Sequence, residues 1–336
     1  MAMAALIARA PTRLDFGGGW TDVPPYSEER GGCVCNVAIQ LHAIATVRAV
    51  AGQNATQPDV DAGSPDNKLA AAATRRASMP HVQVMVEAEF PLGAGLGGSS
   101  AAGVAVLGAL AAWRGEEITA SCLAEDSRRL EVEDLGIAGG RQDHYAAAMG
   151  GALGLWFGAD EVTARRIALP DELVEALNTR CIVAYTGQSR ISSTTITAVM
   201  DAYRAREPRV LGALDRLRDL AAQMVTALEG ADLDALGRLV GEHWVHQRTL
   251  HPAIPTPLID TMIADATAAG ALGAKALGAS GGGCVVAIAA SGREEEVRRA
   301  MARHAQVLPV RVAREGFHVV RRTETVRTGA AAVPGT

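Results

Sequence analysis

Lysine is almost missing from this chain: Lys68 and Lys275 are the only two, so arginine supplies nearly all of the 32 basic side chains. No glycine-rich segment ends in Gly-Lys-Ser or Gly-Lys-Thr, which excludes the lysine-bearing P-loop as a way of holding a nucleotide. Basic charge is not in excess either. Against those 32 stand 37 acids, a formal charge of −5, so neither a nucleic-acid partner nor a membrane surface is expected. The five cysteines (Cys33, Cys35, Cys122, Cys181, Cys284) are odd in number and scattered, and the opening MAMAALIARAP lacks a basic start and a long apolar core. The expected setting is a reducing cytoplasm. Cys33-Val34-Cys35 has no second pair at metal-ligand spacing, and alternate cysteines suit one face of a strand. Phe90 to Trp113 is free of charge, but its first half is rich in proline and glycine and the apolar part from Ala101 is short, so it reads as a buried helix rather than a span.

What remains is a globular composition, 49% hydrophobic over 336 residues, enough for two packed lobes. Leu6–Arg13, Val34–Val50 and the alternating His81–Phe90 predict strands, with Ala51–Ser78 a polar, mobile excursion ending in a short helix or loop. Ser99–Trp113 and Ala120–Leu135 predict helices, the second with a solvated charged face. Gly150–Phe157 and Arg180–Tyr185 follow as strands, with a lobe boundary near Leu177 that divides the chain into 1–177 and 178–336. Amphipathic patterns over Val210–Glu229 and Leu233–Leu250, a helix over Pro257–Ala269, the strand CVVAIAA, then helix and strand complete the order. The tail Gly329–Thr336 reads as frayed.

The chemistry is concentrated in three glycine clusters. The most informative, PLGAGLGGSSAAG (Pro91–Gly103), joins a strand to a helix, where the backbone N–H groups around Gly93, Gly95, Leu96, Gly97, Gly98 and Ser99, with the positive end of the following helix, suit an anionic phosphate, and Ser99 and Ser100 add hydroxyls. Gly93, Gly95 and Gly98 also satisfy G-x-G-x-x-G, but a dinucleotide fold requires an acid closing a second parallel strand about twenty residues on, and Glu116 and Glu117 there open a charged helical stretch. The second cluster is GAKALGASGGGC (Gly273–Cys284), between a helix and a strand; the third, RLDFGGGWTD (Arg13–Asp22), ends the first strand. Two glycine loops suggest a nucleotide. His243, His246 and His251 have no acid or cysteine to complete a zinc set and read as a solvated or lobe-packing face.

In order and spacing these three segments resemble the three motifs of the GHMP small-molecule kinases. PPYSEERGG, GIAGGRQDHYAAAMGG and YTGQSRISS are similar to segments of the sugar anomeric kinases, D-glycero-D-manno-heptose 7-phosphate kinases in particular, with fucokinases next. The resemblance covers most of the chain. It implies an α+β two-lobe fold, an N-terminal ribosomal-protein-S5-domain-2-like lobe and a C-terminal ferredoxin-like lobe with the active site between them, and ATP- and Mg²⁺-dependent phosphoryl transfer to the C1 hydroxyl of a sugar or sugar phosphate. A catalytically silent, ligand-binding homologue is the alternative of another class, and intact Ser100, Glu131 and Asp143 argue against it. The same resemblance makes Asp143 the catalytic aspartate, Arg13 a fixed cation beside it, and Ser100 and Glu131 the Mg²⁺ ligands, both hard oxygen donors. It makes Asp22 an acceptor of sugar hydroxyl hydrogen bonds, places Gly18, Gly19, Gly281 and Gly282 at the substrate, offers Trp20 as a stacking platform or a core aromatic, and gives Arg190 to a phosphate on the substrate or to a loop anchor. Gly19 and Trp20 depart from the galactokinase pattern of an acid and a histidine, and His246 replaces a basic residue usual in heptose kinases. The expected partner is a small-molecule sugar, and the expected state a monomer or homodimer.

Overall fold

The computed structural model describes residues 5–50, 65–188 and 192–323. The first half of the predicted excursion, Arg190 and the Gly329–Thr336 tail lie outside them.

Two sheets organise these residues. The first has the order β10-β1-β2-β4-β5, with β3 on a further stretch of β2. Its members are β1 (Ala5–Gly17), β2 (Gly32–Ala49), β3 (Val82–Ala88), β4 (Ala152–Phe157), β5 (Val162–Ile167) and β10 (His318–Thr323). Between them come α1 (Tyr26–Arg30), α2 (Pro65–Arg76), α3 (Gly98–Arg114), α4 (Ala120–Arg129) and α5 (Gln142–Met149), with α6 (Asp171–Arg180) after β5. The second sheet, β7-β8-β6-β9, is built from β6 (Cys181–Tyr185), β7 (Ala271–Ala276), β8 (Cys284–Ala289) and β9 (Gln306–Val307). Four helices, α7 (Ser192–Arg204), α8 (Pro208–Glu229), α9 (Leu233–Gln247) and α10 (Pro257–Ala268), separate β6 from β7, and α11 (Glu294–Ala302) separates β8 from β9. Strand, helices, two strands, helix, strand, with the fourth strand beside the first, is the ferredoxin-like arrangement expected of the second lobe.

Every pairing in both sheets is antiparallel. The parallel sheet a dinucleotide fold requires is therefore absent among the described residues. The uncharged segment after Pro91 does become a buried helix: Ala101, Val104, Ala105 and Ala109 of α3 share one core with Leu6, Val34, Ala45, Val47, Leu153 and Leu155 of the first sheet. A second apolar cluster joins Leu14, Phe16, Val37 and Ile39 of β1 and β2 to Leu220 and Met224 of α8 and Val286 and Ile288 of β8, so the two halves of the chain share a continuous apolar contact. The last strand, β10, returns to the first sheet beside β1, so the chain after Leu177 contributes to both sheets.

Besides the short helices α1 and α5, which the sequence reading did not contain, four features depart from it. The helix over Ala120–Leu135 stops as an α-helix at Arg129 and continues as a π turn over Leu130–Asp134. β5 and α6 were not predicted between Phe157 and Arg180. The stretch Gly273–Ala276, read as part of a glycine turn, belongs to strand β7; Ala, Leu, Gly and Lys carry little strand preference, and its place is set by pairing with the β-branched β8. β10 is the fourth.

Candidate active site

Arg13 lies near the end of β1, and its guanidinium makes three contacts. Nε and Nη2 both reach Asp143 Oδ1, at 2.7 and 2.6 Å, and Nη1 donates to the Gly95 carbonyl at 2.7 Å. Asp143 stands in the first turn of α5 with a quarter of its side chain exposed, whereas Arg13 is buried. Because both donors converge on Oδ1, the pair fixes the carboxylate while leaving Oδ2 outside that fork. The Gly95 contact ties the same arginine to the glycine loop, which the Arg13 N–H also reaches at the Leu96 carbonyl, 3.0 Å away.

The loop enters α3 through Gly97, the N-cap, in the left-handed region at φ 76°. A Cβ there would stand 3.0 Å from Asp143 Cγ, so the bare Cα lets the carboxylate lie directly over the helix entry. Gly95 and Gly98 have a different reason from the one expected. A Cβ on Gly95 would meet the Leu277 carbonyl at 2.7 Å, and one on Gly98 would meet the Phe90 ring at 2.3 Å, so their small size first serves close approach to protein. Gly93 and Ser99 are on the exposed side of the loop. The second glycine cluster docks on this loop: Cys284 N–H donates to the Ala94 carbonyl at 2.8 Å.

Beneath the loop sits Glu131, carried by the π turn and almost fully buried. Ser99 Oγ donates to its Oε1 at 2.6 Å, Ser100 Oγ lies 3.3 Å from Oε2, and His144 Nε2 lies 3.0 Å from Oε2. Burial pushes the Glu131 carboxyl up, but the hydrogen bond and charge of His144 with the two serine hydroxyls outweigh it and hold the group below the usual carboxylate range. An ionised carboxylate beside two hydroxyls is a hard-oxygen donor set that fits Mg²⁺. A π turn explains how Glu131 points inward from a helix whose α-helical part shows a solvated face, because the wider turn shifts the register. His144 was not singled out from the sequence, where nothing sets it apart from the other residues of its short helix.

The residues expected to meet the acceptor are packed tightly in this structure. Gly18, Gly19, Trp20, Asp22, Gly281 and Gly282 are all buried. Gly18 donates its N–H to His243 Nε2 at 2.9 Å, and a Cβ on it would stand 1.9 Å from the Cys33 carbonyl. Gly281 donates to the Ile254 carbonyl, and a Cβ on Gly282 would meet the Gln188 carbonyl at 2.6 Å. Trp20 packs in the apolar cluster with Tyr26, Tyr203 and Ile254. Asp22 lies under the start of α5, where its Oδ2 accepts the Gln142 N–H at 3.0 Å as a helix cap. Burial, with the charges of Asp143 and Asp15 added, raises its pKa to about 6 against the pull of that N–H. His243 is a lobe-packing histidine, kept neutral chiefly by burial and by the nearby Lys275 charge.

Lys275 was noted only for its rarity. It is fully buried on β7, and its Nζ donates to the Asp15 carbonyl and to Asp15 Oδ2, both at 3.0 Å, joining the second sheet to β1 two residues from Arg13. Burial lowers its pKa, and the Asp15 charge works against that shift.

Comparison with known proteins agrees with this geometry. The chain matches the GHMP kinases N terminal domain over residues 67–151 and the GHMP kinases C terminal domain over residues 224–306. It is 25% identical over 264 residues to D-glycero-alpha-D-manno-heptose 7-phosphate kinase of Campylobacter jejuni, covering 72% of this chain and 77% of that one. It is 27% identical over 278 residues to the bifunctional fucokinase/GDP-fucose pyrophosphorylase of Arabidopsis thaliana, covering 72% of this chain and spanning only 26% of that longer protein. A solved D-glycero-D-manno-heptose 1-phosphate kinase from Bacteroides thetaiotaomicron shares the fold, with a TM-score of 0.73 at 24% identity over 94% of this chain and 99% of that one. The three glycine segments, the Arg13–Asp143 pair and these matches lead to one statement: the chain belongs to the GHMP kinase family.

Proposed function

We propose that this kinase transfers the γ-phosphoryl group of ATP to the anomeric hydroxyl of a sugar, with D-glycero-D-manno-heptose 7-phosphate as acceptor and the 1,7-bisphosphate as product. The observation that carries the reading is the Arg13–Asp143 fork over the entry to α3. In this reading the N–H groups at that helix entry and of Gly93 to Ser99 receive the phosphates. Ser100 and Glu131 would hold Mg²⁺, which would supply neutralising charge to the phosphates. Asp143 Oδ2 receives the acceptor's proton, while Arg13 keeps the carboxylate aimed and faces the charge that develops on transfer. Phosphoryl transfer asks little else of the protein than holding these groups in line.

The heptose assignment rests on the similarity to the Campylobacter heptose 7-phosphate kinase across most of both chains. A fucokinase-like reaction on a free sugar at C1 is the second reading, favoured by the similarity to the Arabidopsis fucokinase. In either reading Asp22, Gly18, Gly19, Gly281 and Gly282 are the proposed acceptor-side residues. The test is Asp143→Ala: turnover is expected to fall by about 10³-fold while binding of an ATP analogue with Mg²⁺ stays within a fewfold of the parent. Full turnover in that variant would remove Asp143 from the mechanism.

A further inference from the structure

Behind the candidate cation ligands lies a buried polar chain that the reaction does not yet use. Ser127 on α4, His144 on α5 and Glu131 in the π turn are all buried. Ser127 Oγ lies 2.9 Å from His144 Nδ1, and His144 Nε2 lies 3.0 Å from Glu131 Oε2 and 3.3 Å from Ser100 Oγ. An ionised carboxylate only accepts, so Nε2 must carry the ring proton and donate it to Oε2. Nδ1 faces Ser127 Oγ, so the ring is held from both sides in one orientation. An independent feature of α3 makes room for this chain: a Cβ on Gly103 would stand 2.4 Å from Ser127 Oγ.

We propose that His144, oriented by Ser127, is the positioning residue that presets Glu131 and Ser100 for a divalent cation. The inference rests on the reading of Ser100 and Glu131 as the cation ligands. Glu131 Oε1 is held by Ser99, and Oε2 by His144, so the carboxylate cannot rotate without breaking a buried contact. Partners of this kind, which hold the ligands of a metal rather than the metal, typically change its affinity by about 10- to 100-fold when removed. His144 is not itself placed among the reacting groups.

The experiment is a Mg²⁺ titration read as thermal stabilisation in the presence of a non-hydrolysable ATP analogue, repeated as the Mg²⁺ dependence of turnover. His144→Ala is expected to raise the Mg²⁺ midpoint by about tenfold or more in both readouts, and Ser127→Ala by roughly threefold. His144→Gln carries an amide N–H near the position of Nε2 and is expected to restore the midpoint; His144→Asn ends near Nδ1 and is not. If His144→Ala fails to fold, Ser127→Ala and the Gln and Asn pair carry the test. A lower melting temperature with an unmoved Mg²⁺ midpoint, or rescue by Asn and not by Gln, overturns the proposal. Glu131→Gln separates the two levels: if it leaves the midpoint unmoved, the cation-site reading falls and this inference with it, whereas a moved midpoint beside an unmoved His144→Ala removes the inference alone.

Discussion

Lys275→Met isolates the contact that joins the second sheet to the strand bearing Arg13. Lys275 Nζ donates to the Asp15 carbonyl and carboxylate at 3.0 Å each, and it is fully buried, as Asp15 nearly is. Among the described residues Asp15 Oδ1 has no hydrogen-bond partner, so lysine is the main compensation for that carboxylate. Methionine fills similar space, which keeps the cavity contribution small and leaves the charge contribution exposed to measurement. Removing one partner of a buried pair strands the other, at a cost of about 3–5 kcal/mol, far more than the net worth of the pair. At about 2–4 °C per kcal/mol for a lobe of this size, the melting temperature is expected to fall on the order of 10 °C. Asp15→Asn added to Lys275→Met removes the stranded charge and is expected to recover at least half of the loss. Differential scanning fluorimetry on the four members of this cycle reads the coupling directly. A Lys275→Met protein within about 1 kcal/mol of the parent, or a double variant no more stable than Lys275→Met, refutes the reasoning.

Three further outcomes follow from the same geometry. Arg13→Lys cannot reproduce two donors on Asp143 Oδ1 together with one on the Gly95 carbonyl, so kcat is expected to fall roughly 10²-fold in steady-state kinetics with KM for ATP within a fewfold. Gly97→Ala forces a side chain into a left-handed φ of 76° with Cβ 3.0 Å from Asp143 Cγ; kcat is expected to drop by about 10²-fold, with about 1–2 kcal/mol of stability lost in urea titrations. Asp22 binds its proton more tightly folded than unfolded, with a pKa raised from 3.8 to about 6. Its contribution to stability is therefore complete below its unfolded value and is lost as pH rises through about 6, a span on the order of 3 kcal/mol. Asp22→Asn should flatten that part of the stability–pH curve, and an unchanged slope between pH 4 and 6 would remove the assignment.

The fold was legible where pattern and burial agree. Leu6–Arg13 and Val34–Val50 are rich in strand formers and became β1 and β2, and the uncharged stretch after Ser99 became the buried α3. β7 was hidden because Ala, Gly and Lys are placed there by their partner strand, a contact between residues distant in the chain. The site shows the same division. Arg13, Asp143, Ser100 and Glu131 do converge, because motif glycines and charged residues leave local traces. His144 and Ser127 left none, since their value lies in meeting each other and Gly103 across three helices. The packing of the turn after β1 was hidden for a related reason: its glycines and Trp20 have the same composition whether they line a cleft or pack under α8, and a Cβ on Gly17 or Gly18 would strike Met224 or Ala221 of that helix.

The central claim is phosphoryl transfer to an anomeric hydroxyl, and one measurement tests it most directly. Purified protein with ATP and Mg²⁺ is offered heptose 7-phosphate, free heptose, fucose, mannose and galactose, turnover is followed, and phosphorus NMR fixes the position of each new phosphate. The account predicts selective phosphorylation of heptose 7-phosphate at C1. A preference for fucose at C1 would keep the reaction and replace the substrate, whereas transfer to another hydroxyl, or to none of the five sugars, would contradict the account.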